Sequence, residues 1–141
     1  TYETENYGNF RGQVVATWLN EFTDPTLTSG ADDVGTYFVP RWRSSATLAW
    51  TRGDWAASAF FQWIDGYEDA FGMFLPSVDD YLRINPQVSY RGWWDTTITV
   101  GVRNVLDKEP PVDYSDSGTT RSVGVHNLEP RFWYLRVNSS W

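Results

Sequence analysis

Apolar and polar residues alternate along most of this 141-residue chain with a period of two, not 3.6. From Arg41 to Arg52, Trp42, Ser44, Ala46, Leu48 and Trp50 alternate with Arg43, Ser45, Thr47, Ala49 and Thr51. Between Asp54 and Asp65 the apolar set is Trp55, Ala57, Ala59, Phe61 and Trp63, with Phe60 and Ile64 on the other face. Leu82, Ile84, Val88 and Tyr90 alternate with Arg83, Asn85, Gln87 and Ser89. Next, Trp94, Ile98, Val100 and Val102 alternate with Asp95, Thr97, Thr99 and Arg103. In the tail, Trp133, Leu135, Val137 and Trp141 alternate with Tyr134, Arg136, Asn138 and Ser140. A less regular first strand covers roughly residues 10–22, with Phe10, Val14, Ala16 and Trp18 on one face. The pattern therefore predicts an all-β chain of six strands, each of about 10 to 13 residues. Strands of ordinary globular proteins cluster near 5 or 6 residues, whereas 9 to 11 tilted residues span a bilayer.

The predicted connections alternate in length. Arg52-Gly53-Asp54 and Arg91-Gly92-Trp93 read as tight turns, in which glycine supplies the backbone freedom. Long connections are expected at about 23–39, 66–80 and 107–130. Outer-membrane barrels have short periplasmic turns and long extracellular loops, and one topology puts both tight turns inside and all three long loops outside. Pro86 interrupts a strand and requires an edge position or a bulge.

Tryptophan placement fits the same picture. Trp18, Trp50, Trp55, Trp63, Trp94, Trp133 and Trp141 are expected on the apolar faces, mostly near strand ends. Barrels carry aromatic girdles there, because an indole is apolar in body yet needs a partner for its N–H. The competing reading makes them the core of a soluble sandwich. Charge also follows the map. The three long connections hold twelve acids (Asp24, Asp32, Asp33, Glu68, Asp69, Asp79, Asp80, Asp107, Glu109, Asp113, Asp116, Glu129) and two bases, Lys108 and Arg121. Arg43, Arg83, Arg103 and Arg136 fall on the polar faces of their strands. A net charge of −7 argues against nucleic acid as a partner. With no cysteine and one histidine, His126, there is no disulfide framework and no multi-histidine metal site; His126 is expected to be solvated. There is no apolar run long enough for a transmembrane helix and no secretion signal.

The run Gly101-Val-Arg-Asn-Val-Leu-Asp-Lys-Glu-Pro-Pro111 reads first as a terminated strand. Val102 and Val105 are expected to continue the strand, Asn104 and Asp107 to fold side-chain oxygens onto nearby N–H groups, and Pro110-Pro111 to stop pairing. The tail Arg131-Phe-Trp-Tyr-Leu-Arg-Val-Asn-Ser-Ser-Trp141 carries apolar residues at alternate positions back from a terminal aromatic. As a pattern, Gly101, Arg103, Asn104, Asp107, Pro110 and Pro111 resemble the penultimate-strand motif of TonB-dependent outer-membrane receptors. Trp133, Leu135, Val137 and Trp141 resemble the C-terminal assembly signal of outer-membrane barrels. The tail departs from that signal at Ser139, which holds one of the apolar places, and ends on Trp where Phe is commoner. Pro130-Arg131 also resembles a frequent lead-in to the last receptor strand.

The resemblance implies that residues 1–141 are the C-terminal segment of a 22-stranded transmembrane β-barrel, whose plug domain and energy-coupling box lie in other chain. It implies nutrient uptake across the outer membrane of a Gram-negative bacterium. It implies as partners membrane lipid, the barrel-assembly machinery acting through the last strand, and TonB acting through the missing parts. Candidate contacts to a small-molecule or oligosaccharide ligand are the loop aromatics and acids Tyr37, Phe38, Tyr67, Asp69, Phe71, Phe74, Tyr114 and Asp116. Rings stack on sugar C–H faces while carboxylates accept hydrogen bonds, so the substrate leans towards a carbohydrate, otherwise a metal chelate. Acidic loops disfavour a strongly anionic chelate. The acidic pairs Asp32-Asp33 and Asp79-Asp80, and Asp113 with Asp116, have no calcium-loop spacing, and no catalytic constellation is present, so neither a metal, a cofactor nor an enzyme is expected. The rival from another class is a soluble carbohydrate-binding β-sandwich, equally Trp-rich and Cys-free.

Overall fold

The computed structural model describes residues 2–4, 6–24, 32–36, 39–68, 77–111, 125–126 and 128–139, and all regular structure among them is β. Nine strands follow one another: β1 (Tyr2–Thr4), β2 (Gly8–Trp18), β3 (Trp42–Arg52), β4 (Trp55–Ile64), β5 (Tyr67–Glu68), β6 (Ser77–Val78), β7 (Tyr81–Trp93), β8 (Thr96–Arg103) and β9 (Phe132–Ser139). Six of them are long. With the three-residue β1 they form one seven-stranded antiparallel meander, β1-β2-β3-β4-β7-β8-β9, and β5 and β6 form a separate two-stranded hairpin between β4 and β7. The strand ends joined by the short connections, 5–7, 53–54 and 94–95, lie at one end of the meander, and those joined by the long ones, 19–41, 65–80 and 104–131, lie at the other.

Pairing sorts the side chains into two unlike faces, because residues opposite one another share a face. Val14, Ala46, Phe61 and Ile84 make one level; Gly12, Leu48, Ala59 and Pro86 make the next level on the same face. Below them lie Phe10, Trp50, Ala57, Val88, Val100 and Leu135. Most of this face is uncovered among the described residues: Val14 is 74% exposed, Leu48 54%, Trp133 66% and Leu135 67%, while Val102, at the end of β8, is buried. Aromatic rows bound it. At the long-connection end the rings of Trp18 and Trp42 sit 6.1 Å apart; at the short-turn end those of Trp55 and Tyr90 sit 4.8 Å apart. Trp63 donates its indole N–H to Asp80 Oδ2 at 3.0 Å, and Trp50 donates to the Tyr7 carbonyl at 2.7 Å.

The other face is polar and knitted by side-chain hydrogen bonds. Arg83 donates to Gln62 Oε1 at 2.8 Å, Gln87 donates to Ser58 Oγ at 3.0 Å, and the hydroxyls of Ser89 and Thr99 lie 2.8 Å apart. Arg43, Arg83, Arg103 and Arg136 are all on this side, as the alternation implied. Tyr134, across from Gly101, lays its ring over that glycine and donates its O–H to Gln87 Oε1 on the next strand, at 2.8 Å. A Cβ at position 101 would overlap the ring, so Gly101 serves close approach, not backbone freedom. Gly101→Val is expected to displace the ring and cost about 1–3 kcal/mol as overpacking. The urea midpoint checks this. In a Tyr134→Ala background the same substitution should cost far less; an undiminished cost would remove the ring from the explanation.

Several expectations are corrected. The first strand begins earlier and ends earlier, at Gly8–Trp18, and β1, β5 and β6 had no distinct sequence signal. The Arg91-Gly92-Trp93 turn is not a turn. Gly92 lies within β7 at an irregularity between Arg91 and Trp93, and the chain reverses at Trp94 and Asp95, whose φ angles are +46° and +51°. Left-handed φ at both central residues is what a two-residue hairpin turn demands. Trp94 therefore leaves the apolar face and stands 93% exposed at the turn tip. Val105 does not continue β8, which ends at Arg103 because Asn104 takes φ +49°. Pro86 is neither at an edge nor at a bulge: it lies in interior strand β7 opposite Ala59, and its missing donor is tolerated because ladder pairing with β8 begins only at Gln87 and Gly101.

Candidate functional site

The run from Gly101 to Pro111 folds into a clasp at the long-connection end. Asn104 is almost fully buried. Its side-chain amide donates to the Lys108 carbonyl at 3.0 Å and to the Glu129 carbonyl at 3.1 Å, while its Oδ1 accepts the Lys108 N–H at 3.2 Å. Its own N–H donates to Asn85 Oδ1 on β7 at 2.8 Å. One residue thus ties β7, the end of β8 and the approach to β9. Asparagine suits the post because it tolerates left-handed φ and carries both a donor and an acceptor.

Charge completes the clasp. Glu129 accepts from Arg103 at 2.8 Å and from Arg83 at 3.2 Å, so one carboxylate bridges two strands. The Arg83 side chain is only 10% exposed and that of Glu129 22%. Asp107, also at left-handed φ, accepts the Arg131 N–H and the Arg131 guanidinium, both at 3.1 Å, and so anchors the entry to β9. Lys108 Nζ donates to the Asp80 carbonyl at 2.9 Å. Pro110 is buried and Pro111 half-buried in the chain that leaves the clasp. A cavity of about 150 Å³ lies beside it, lined by Asn104, Asp107, Lys108, Glu109, Pro110, Leu128, Glu129 and Pro130. Spacing within the run could not reveal Asn85, Arg83, Glu129 or Arg131, since each comes from another segment.

Next to the clasp, segments from the connections pack against the polar side of the sheet. Ile64, Tyr67, Val78, Tyr81 and His126 are buried there. His126 is not solvated: its ring stacks on Tyr67 at 6.2 Å and meets Tyr81 edge-on at 5.4 Å. Tyr67 is the sole candidate ligand contact among the described residues, and its ring is buried in this packing. Tyr37, Phe38, Asp69, Phe71, Phe74, Tyr114 and Asp116 lie outside the described residues, as does Trp141 of the tail signal. Trp133, Leu135 and Val137 are exposed on the apolar side of β9, which has no further strand on its outer edge among the described residues.

Asp32 and Asp33 act as loop staples. Asp32 Oδ1 accepts the N–H groups of Val34 at 3.0 Å and Phe22 at 3.1 Å; these two bonds, the one from Val34 first, hold its carboxyl below the ordinary aspartate range. Asp33 is fully buried and accepts the Asp24 N–H at 2.7 Å. Among the described residues no group of three acids or histidines is placed to hold a metal ion. A second cavity, of about 160 Å³, opens on the sheet beside Val125, with Val15, Thr17, Arg43, Ser45, Gln62 and Ile64 in its lining. No family model, curated protein or solved structure matches the chain.

Proposed function

We propose that this chain is wall and outer loops of a transmembrane β-barrel in a Gram-negative outer membrane, the C-terminal part of a nutrient receptor of the TonB-dependent kind. The observation that carries the reading is the uncovered apolar face, bounded by aromatic rows, on a sheet whose other face is polar and hydrogen-bonded. Seven aliphatic side chains on it (Val14, Leu48, Val88, Ile98, Val100, Leu135, Val137) are more than a third exposed. At about 1–1.5 kcal/mol each, leaving them in water forfeits roughly 10 kcal/mol, comparable to the whole net stability of a domain. Something apolar must cover that face. Its height suits a bilayer: β3 advances ten residues from Trp42 to Arg52, about 33 Å along the strand. At a barrel tilt near 40° this rises roughly 25 Å, the height of the apolar band in such barrels.

On this reading the short turns face the periplasm, the long connections face outward, and the clasp sits at the outer rim. Six long strands cannot close at the diameter of a transport barrel, so on this reading β9, and β2 beyond its three-residue pairing with β1, pair with further strands. The soluble sandwich needs a second sheet over the apolar face; the only other sheet among the described residues is the β5–β6 hairpin, with strands of two residues.

The test uses the protein in its native membrane. Bimane attached at Val100→Cys or Leu135→Cys is expected to be quenched by brominated lipid, and bimane at Thr47→Cys or Ser58→Cys to be spared. Absence of quenching at the first pair, in a protein recovered from the soluble fraction, would end the barrel reading and leave the sandwich.

A further inference from the structure

Connections between strands ordinarily run over the surface and bury little, and each opens by itself at small free-energy cost. Here the pattern is reversed. Of the six buried apolar residues among the described ones, Val34, Tyr67 and Val78 lie in connections, and Ile64 and Tyr81 lie where β4 and β7 meet one. Val34 belongs to the first long connection (19–41), Tyr67 and Val78 to the second (65–80), and the buried His126 to the third (104–131).

Contacts run from one connection to the next. In the second, Tyr67 of β5 stands opposite Val78 of β6, and at the end of the sheet Ile64 stands opposite Tyr81. The His126 ring of the third connection stacks on Tyr67 at 6.2 Å and meets Tyr81 edge-on at 5.4 Å, so it joins the hairpin to β7. The first connection is tied in by its backbone: the Glu68 N–H donates to the Gly35 carbonyl at 2.7 Å, and Thr36 forms a bridge with Glu68. Fully buried Asp33 braces that stretch. Its N–H donates to the Phe22 carbonyl and its Oδ2 accepts the Asp24 N–H, both at 2.7 Å. Tyr81 extends the contacts to the clasp, since its O–H donates to the Lys108 carbonyl at 3.3 Å, the carbonyl that Asn104 also holds. Packed side chains have discrete arrangements, so displacing one of them displaces its neighbours.

We infer that the described parts of the three long connections form one folded cap, keyed by Tyr67, Tyr81 and His126, which opens as a unit and not as three separate loops. A solute or partner that contacts any one connection then shifts all three, because they share one opening equilibrium. The inference does not depend on what covers the apolar face. His126 is the only histidine of the chain, and its burial shields it from diethyl pyrocarbonate until the cap opens. The rate of its modification, read by peptide mapping on the full protein, therefore reports the third connection. Val34→Ala, a truncation in the first connection, is expected to raise that rate about tenfold. Thr36→Cys with Glu68→Cys, in a chain that has no cysteine of its own, allows a disulfide between the first and second connections. Its oxidation is expected to lower the His126 rate about tenfold relative to the reduced pair. Amide protection in the middle of β3 and β4 should change in neither. A His126 rate indifferent to either change would mean that the connections open separately, and would overturn the inference. A rise in Val34→Ala matched by lost protection in β3 and β4 would mean that the whole sheet opens, and would overturn it equally.

Discussion

Asn104→Ala is expected to destabilise the long-connection end by about 3–5 kcal/mol. The side chain makes three hydrogen bonds from a site that is 1% exposed. Each is worth about 1 kcal/mol net, and leaving the Lys108 N–H and two carbonyls without partners adds desolvation cost. Alanine also resists the left-handed backbone at this position, by roughly another 1 kcal/mol. The effect should be local. Hydrogen exchange across 104–108 and 128–131 should quicken by at least two orders of magnitude, at about 1.4 kcal/mol per factor of ten, while the middle of β3 and β4 stays protected. Asn104→Asp separates the contributions. It keeps the acceptor for the Lys108 N–H and tolerates the backbone, but it cannot donate to either carbonyl. An intermediate loss is expected. Exchange unchanged in Asn104→Ala would mean that the clasp does not hold the long-connection end.

Glu129→Ala should be nearly as damaging, at about 3 kcal/mol, because one substitution unpairs two arginines. The cost falls mainly on Arg83, whose side chain is 10% exposed; breaking a buried pair from one side costs about 3–5 kcal/mol. Arg103 is half exposed and adds little once solvent screens it. The mechanism has a signature. Removing both buried charges together, as Arg83→Met with Glu129→Leu, should recover most of the loss, since an apolar pair of similar bulk is often neutral in such a place. Denaturant midpoints of the parent, the single and the double variants decide it. A double variant as unstable as Glu129→Ala would show that packing, not an unpaired charge, was responsible.

These two residues differ in how far sequence could reach them. Asn104 and Asp107 were legible as turn-makers, because a short polar side chain after a strand folds back on its own backbone. Their distant partners were not. Glu129 looked like one more solvated loop acid, and nothing in its neighbours announces that two strands deliver guanidinium groups to it. His126 misled for the same reason, since the Tyr67 and Tyr81 rings that enclose it come from separate strands. The β7–β8 turn misled in another way. Glycine in a hairpin region is a strong local cue, but alternation on both sides of Gly92 cannot fix which residues reverse the chain.

Alternation is a local property, and it alone determined that the chain is all-β, that its long strands have one apolar and one polar face, and that arginines belong to the polar one. A side chain's face depends only on parity along its own strand. Pairing between strands is non-local, decided by turn geometry and by fits such as the Tyr134 ring over Gly101. Only the tertiary structure could therefore show that most of the apolar face is left uncovered among the described residues, that the motif is a clasp centred on Asn104, and that Tyr67 and Glu68 tie the second long connection to the third and the first.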